Sequence, residues 1–186
     1  KIEMKQMRIS VRKGDIMHFL EELSHIFDIV AGEREIDFIV NLEDTEEEVW
    51  FSPSKLERIL YNLLSNAFKY TQPGGYVKLS AKLIKEEKGT FVQISVKDNG
   101  RGIPKEAQEQ IFESYYQVEK RDHREGFGLG LSLTRSLIHM HKGEIRVESE
   151  INKGSDFIVT LNVSEDAYNP DERSSENITT EEIQKY

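Results

Sequence analysis

Three groups of residues have the types and spacing to do chemistry. The first is Asn62, Asn66 and Lys69, which share one narrow helical stripe beside a broad apolar side of Leu56, Ile59, Leu60, Leu63, Leu64, Ala67 and Phe68. Asparagine is a weak helix former, so two on one stripe need a reason. Two amide oxygens one turn apart, with an ammonium a turn further on, can face a metal-bound phosphate chain. Magnesium prefers oxygen ligands and keeps several waters. A solvated helix face is the commoner fate of such a stripe, and alone it would not outweigh that.

The second group is Asp98-Asn99-Gly100-Arg101-Gly102-Ile103-Pro104. Counting by twos from Val92, Ile94 and Val96 lands on Asp98, so a carboxylate ends the core-facing row of a strand. Burying it without partners would cost several kcal/mol. A purine amino group is a donor it could accept from. The glycines allow positive φ and close approach of a flat ring, although a plain Asp-Asn-Gly turn is also frequent. The third group is Gly126-Phe127-Gly128-Leu129-Gly130, leading into the last helix. Glycines before a helix can present backbone N–H groups to phosphates. This run follows no strand and lacks Gly-Lys-Ser/Thr, which disfavours a Rossmann site and a Walker loop.

These groups need elements to position them. Apolar spacing predicts one amphipathic helix over 15–31, through Ile16, Phe19, Leu20, Leu23, Ile26, Phe27 and Val30, stopped by Gly32. A second helix opens at Ser52-Pro53 and closes near Tyr70 before Gln72-Pro73-Gly74-Gly75. Arg8 to Val11, Ile36 to Leu42 and Val49 to Phe51 read as short strands. Val77, Leu79, Ala81 and Leu83 alternate with polar residues, as do Val92, Ile94 and Val96, so helices should cover one face of the sheet only. Lys105 to Ile111 suits a short helix, 113–130 a long loop, and Leu129 to His141 a helix. A final hairpin pairs Ile145 and Val147 with Phe157 to Val163. The order predicts an α/β fold, a two-layer sandwich on a mixed sheet.

Composition excludes several classes. The 186 residues contain no cysteine, so disulfides, zinc-thiolate sites and thiol nucleophiles are out. No apolar run approaches bilayer length and no signal peptide is evident, which agrees with a cytoplasmic domain without direct membrane contact. Net charge is −9, against a nucleic-acid partner. Seven acids and two bases fall in 165–186, so a flexible acidic tail or linker is expected over 164–186, with the folded domain spanning 15–163.

Together, in this order, the motifs resemble those of the ATP-binding catalytic domain of bacterial sensor histidine kinases. The wider superfamily also holds gyrase-type, chaperone and mismatch-repair ATPases. Ile59 to Thr71 looks like its N box, Asp98 to Pro104 its first glycine box, Ile111 to Tyr116 its F box, and Gly126 to Leu131 its second glycine box. The resemblance implies the Bergerat fold, ATP and magnesium. By position, Asn66 would ligate the metal, Asn62 would help hold metal and phosphates, and Lys69 would contact a phosphate. Tyr70 would line the nucleotide cleft and Asp98 would take the adenine amino group, with Gly100 and Gly102 shaping its pocket. Gly128, Leu129 and Gly130 would border the phosphates. Phe112 would anchor a lid whose Lys120, Arg121 and Arg124 could approach the γ-phosphate, or simply form a solvated charge run.

Hydrolysing branches of the superfamily place a glutamate general base four residues before the metal asparagine. Here that position is Asn62, and an amide cannot accept a proton at neutral pH. Transfer of the γ-phosphoryl to another nucleophile is therefore expected, with alignment and charge neutralisation as the domain's contribution. The family's acceptor is a histidine on a dimerisation hairpin. None of His18, His25, His123, His139 or His141 has the flanking pattern, so the acceptor domain is expected elsewhere, with 1–14 as the end of a linker from it. A response regulator or fused receiver domain would follow as partner. The alternative is a degenerate nucleotide-binding or docking module without phosphotransfer. It is motivated by Phe127, where a small hydroxyl residue is usual; Tyr115 replaces phenylalanine in the F box.

Overall fold

A computed structural model describes residues 8–113 and 130–185. Five strands form the main sheet in the order β2 (Asp37–Leu42), β4 (Tyr76–Glu86), β5 (Gly89–Asp98), β7 (Gly154–Asn162) and β6 (Glu144–Glu150). β2 and β4 run parallel, and the other pairs are antiparallel. A separate antiparallel pair joins β1 (Arg12–Asp15) to β3 (Glu48–Phe51). The mixed sheet and two-layer α/β arrangement agree with the expectation from strand patterning.

The alternation explains the layers. Val77 and Leu79 of β4, Val92, Ile94 and Val96 of β5, and Val159 and Leu161 of β7 are all at most 1% exposed. They pack in the same core as α1 (Ile16–Ser24), α2 (Ile26–Arg34), α3 (Pro53–Tyr70) and α4 (Gly130–Met140). Each such side chain contributes about 1.5–3 kcal/mol when fully buried. Lys78, Ser80, Lys82, Gln93 and Ser95 alternate with them and so point to the opposite face.

α3 is the central helix. Pro53 occupies its first position, and all seven expected core residues from Leu56 to Phe68 are buried. The N-terminal helix differs from expectation: it is two helices, broken at His25. Ser24 is buried, and its hydroxyl donates to the Glu21 carbonyl at 2.7 Å, competing with the helical ladder. The break leaves Ile26 at 43% exposed, off the apolar face assigned to it. Gly32 does not end the second helix, which closes at Glu35 with φ 54°. The stretch 105–111 forms short 3-10 turns at Lys105–Ala107 and Gln110–Phe112.

The largest correction lies at the two ends. Residues 165–183 fold back on the domain, and residues 9–14 belong to it. Val11 N–H donates to the Glu172 carbonyl (2.8 Å), Ser174 N–H to the Val11 carbonyl (2.9 Å), and Ile178 N–H to the Lys13 carbonyl (2.8 Å). Val11 is fully buried; Ile178 and Ile183 enter the main core at 7% and 2% exposed. Two of the segment's acids are in ion pairs that tie it down: Glu182 with Arg12 at 2.7 Å and Glu165 with Arg173 at 2.7 Å.

Candidate functional site

The site is built where α3, the loop after β5 and the start of α4 meet. Asn62 is half-buried on α3. Its Nδ2 donates to Thr134 Oγ1 at 2.9 Å, and Thr134 is 1% exposed on α4. The other end of the carboxamide lies against Gly130. A Cβ there would stand 2.5 Å from Asn62 Oδ1, so any other residue would push the carboxamide aside. Asn66 and Lys69 follow on the same stripe, both half-buried. The lysine ammonium lies 5.3 Å from the centre of the Tyr70 ring.

At the C-terminal end of α3 the first glycine loop closes in. Arg101 N–H donates to the Tyr70 carbonyl at 3.4 Å. The Arg101 guanidinium sits over the Tyr70 ring at 4.3 Å. A Cβ on Gly100 would stand 2.4 Å from the Tyr70 carbonyl oxygen, which explains the glycine. Tyr70 itself is 37% exposed, leaving ring surface for a ligand.

Asp98 ends β5 paired with Ser155 of β7, and it is 5% exposed. One carboxylate oxygen accepts from Gly100 N–H at 2.8 Å. Burial raises its pKa above the usual carboxylate value; backbone N–H bonds from Gly100 and Ser155 pull the other way, and Asp156 adds a smaller upward push. The loop beyond it is clamped to the β6–β7 hairpin. Gly102 has φ +71°, and a Cβ there would stand 2.0 Å from the Glu150 carbonyl oxygen. Ile103 N–H donates to Ser149 Oγ at 2.8 Å, and Asn152 N–H to the Arg101 carbonyl at 2.8 Å. Phe112 is held edge-on to Phe157 at 6.3 Å, with the Arg135 guanidinium 5.9 Å from its ring.

The fold thus brings Asn62 to Gly130, and Tyr70 to Gly100. Gly126, Phe127, Gly128 and Leu129, with the lid bases Lys120, Arg121 and Arg124, lie outside the described residues. Sequence reasoning missed Thr134 and Arg101. The available signal for Thr134 was its position four residues after Gly130, a polar β-branched residue on the buried side of a helix.

The donor set suits a nucleotide with magnesium. Among the described residues no cluster of three or more carboxylates and histidines could cage a metal. A cation here would take amide oxygen, phosphate oxygen and water, which is magnesium's usual mode of binding. Asn62 and Asn66, both half-buried on one stripe of α3, would supply amide oxygens of that kind.

Comparison with known proteins gives the family. Residues 51–165 match the family described as histidine kinase-, DNA gyrase B-, and HSP90-like ATPase. Sensor histidine kinase WalK of Bacillus subtilis is 33% identical over 168 residues, 89% of this chain and 27% of WalK. The adaptive-response sensory kinase SasA of a Synechococcus strain is 39% identical over 134 residues, 72% of this chain and 34% of that kinase. A histidine kinase of Formosa agariphila is 32% identical over 166 residues, 87% of this chain and 12% of its own length. The chain therefore spans well under half the length of these relatives. Among solved structures, full-length ShkA in complex with AMPPNP superposes with TM-score 0.75 at 27% identity, covering 85% of this chain and 32% of ShkA. The catalytic domain of histidine kinase ThkA gives 0.73 at 25% identity, covering 86% of this chain and all of that domain. With a family match over the core and kinase relatives on the same residues, the chain belongs to the histidine kinase-, DNA gyrase B- and HSP90-like ATPase family, on its histidine-kinase branch.

Proposed function

We propose that this domain binds Mg-ATP and donates the γ-phosphoryl group to a histidine on a separate dimerisation domain, in two-component signalling. The bond from the γ-phosphorus to the β,γ-bridging oxygen would break, a bond to an imidazole nitrogen would form, and ADP would leave. Asn62 carries the reading. It occupies the place where a hydrolysing enzyme needs a base, and its amide nitrogen is spent on Thr134. A carboxamide takes no proton from water at neutral pH, so the phosphoryl group is kept for another nucleophile.

The remaining roles follow from chemistry. Asp98 would accept the adenine amino group, a neutral donor suited to a buried carboxylate. Gly100 and Gly102 would let the ring approach, and Tyr70 would cover one side of it. Asn66 and Asn62 would hold magnesium through their oxygens, and Lys69 would meet a phosphate. Bound magnesium would neutralise phosphate charge and fix the geometry for in-line displacement. Gly128, Leu129 and Gly130 would border the phosphate chain. The acceptor domain, and a response regulator or receiver domain after it, are the implied partners, in the cytoplasm where ATP is supplied.

The test is transfer of labelled γ-phosphate to a separately supplied dimerisation domain. Labelled histidine, stable in base and lost in acid, supports the proposal. Tight Mg-ATP binding with no transfer would leave a docking module instead.

A further inference from the structure

We infer that Ser149 and Gln108 are positioning residues for the adenine end of the nucleotide site: between them they hold both backbone groups of Ile103, and so fix the first glycine loop beside Asp98. This rests on the proposed role of Asp98 as acceptor for the adenine amino group.

The loop needs holding. Gly100 and Gly102 have no side chains to pack, and glycine loses more backbone freedom on ordering than any other residue. A loose loop would have to be ordered at the expense of nucleotide affinity, whereas one ordered on folding is ready for the base.

Five contacts supply the hold, and the chemistry of the partners fixes their directions. Ile103 N–H donates to Ser149 Oγ at 2.8 Å. The same Oγ lies 2.8 Å from the Gly154 carbonyl oxygen and 2.8 Å from Ser155 Oγ. A carbonyl only accepts, so the one hydroxyl proton of Ser149 goes to Gly154, and the Ser155 hydroxyl donates to Ser149. On the other side of Ile103, Gln108 Nε2 donates to the Ile103 carbonyl at 3.0 Å and to the Ser149 carbonyl at 2.8 Å. Both partners are carbonyls, so only the amide nitrogen can face them, and each of its two protons has one acceptor.

The strand register puts this cluster next to Asp98. Asp98 pairs with Ser155 on β7, and Ser155 pairs with Ser149 on β6, so the three stand in one row across the sheet. Ser155 is 7% exposed, and its backbone N–H bonds to the Asp98 carboxylate. The row thus ties the carboxylate to the loop that follows it. Ser149 and Gln108 would act on the base through Ile103, without touching it.

The experiment measures ADP binding by calorimetry, with magnesium and with EDTA, for the wild-type chain, Ser149→Ala, Ser149→Thr, Gln108→Met and Ile183→Ala. Alanine removes the hydroxyl and threonine keeps it; methionine keeps the length of glutamine without its donor. One net hydrogen bond sets the scale, so Ser149→Ala and Gln108→Met should each weaken ADP by about 3- to 10-fold. The loss should be the same with magnesium and with EDTA, because the metal end is untouched, and threonine should recover most of it. Ile183→Ala weakens the fold from the C-terminal segment and should leave ADP affinity unchanged. By NMR, the Ile103 amide should exchange slowly in the wild type and faster in Ser149→Ala. A folded Ser149→Ala or Gln108→Met chain with wild-type ADP affinity overturns the inference, and if the alanine variant does not fold, Gln108→Met decides alone. An equal loss in Ile183→Ala, or a freely exchanging Ile103 amide in the wild type, overturns it too. A wild-type chain that binds ATP no better than GTP would instead remove the base role from Asp98, and this inference with it.

Discussion

The backbone N–H of Ser52 donates to Nε2 of His141 at 3.2 Å, joining the start of α3 to the end of α4. The ring's Nδ1 faces the Leu137 carbonyl at 3.0 Å, so the proton belongs on Nδ1 and the imidazole must be neutral. His141 is fully buried. Burial lowers its pKa from 6.5 to about 4, partly opposed by the Leu137 bond and helped by the charge of Lys55.

The first prediction follows from that sign. The folded form disfavours the charged ring, so the stabilisation is complete above pH 6.5 and is lost as pH falls toward 4. The loss should reach about 3 kcal/mol at the lower end. Urea unfolding from pH 7.5 to 4 checks this, and His141→Gln should flatten that part of the profile while lowering stability at pH 7.5.

The second prediction concerns the returning C-terminal segment. Ile183→Ala and Ile178→Ala should each cost about 2–4 kcal/mol, as buried isoleucines do. Removal of residues 165–186 should cost more, since it also strips the hydrogen bonds made to Val11 and Lys13. The midpoint of urea unfolding reads both. An unchanged midpoint for the truncated chain would mean that the segment is not docked in solution.

That segment shows where sequence legibility stops. α3 was legible because seven apolar residues repeat at helical spacing, and Asp98 because β5 alternates strictly up to it. Tyr168, Ile178 and Ile183 have no period and sit among acids, so composition pointed to solvent. Ile178 and Ile183 are buried against β1 and α1, and Tyr168 against Ile9 and Val11, partners more than a hundred residues away in sequence. The break at His25 was hidden because Ser24 looks like any helix residue until its hydroxyl finds the Glu21 carbonyl. At the site, the stripe of Asn62 and Asn66 could be read locally. The hydrogen bond between Thr134 and Asn62 spans two helices, so its pairing could not be read locally, although the place of Thr134 on the buried side of α4 could.

The third prediction is for Asp98. Asp98→Asn exchanges one acceptor oxygen for a donor group inside a pocket whose Gly100 N–H already needs an acceptor. Sites built around a specific hydrogen bond lose discrimination steeply when the acceptor is removed. ATP affinity should fall by about 100-fold or more, with adenine-over-guanine preference falling too. Calorimetry with ATP and GTP measures both.

The fourth prediction separates metal from base. Asn66→Ala removes one amide oxygen from the stripe and should abolish the magnesium-dependent part of nucleotide binding. Magnesium titration at fixed nucleotide reads it, and equal affinity in the variant would remove the assigned metal role from Asn66.

The fifth prediction uses the pair at the end of α3. The Arg101 guanidinium stacks 4.3 Å over Tyr70, while its backbone N–H holds the Tyr70 carbonyl. Only the first contact belongs to the side chain. A cation over a partly exposed ring is worth about 0.5–2 kcal/mol. Arg101→Ala should free the Tyr70 ring without moving the loop, because Gly100 and Gly102 still fix the backbone against Tyr70 and Glu150. If the guanidinium holds the ring ready for adenine, the variant should bind ATP about 3- to 30-fold more weakly, while thermal stability changes little. Arg101→Lys should recover only part of the loss, since an ammonium lacks the flat face that stacks. An ATP affinity that rises in Arg101→Ala would mean that the guanidinium occupies the space meant for the base.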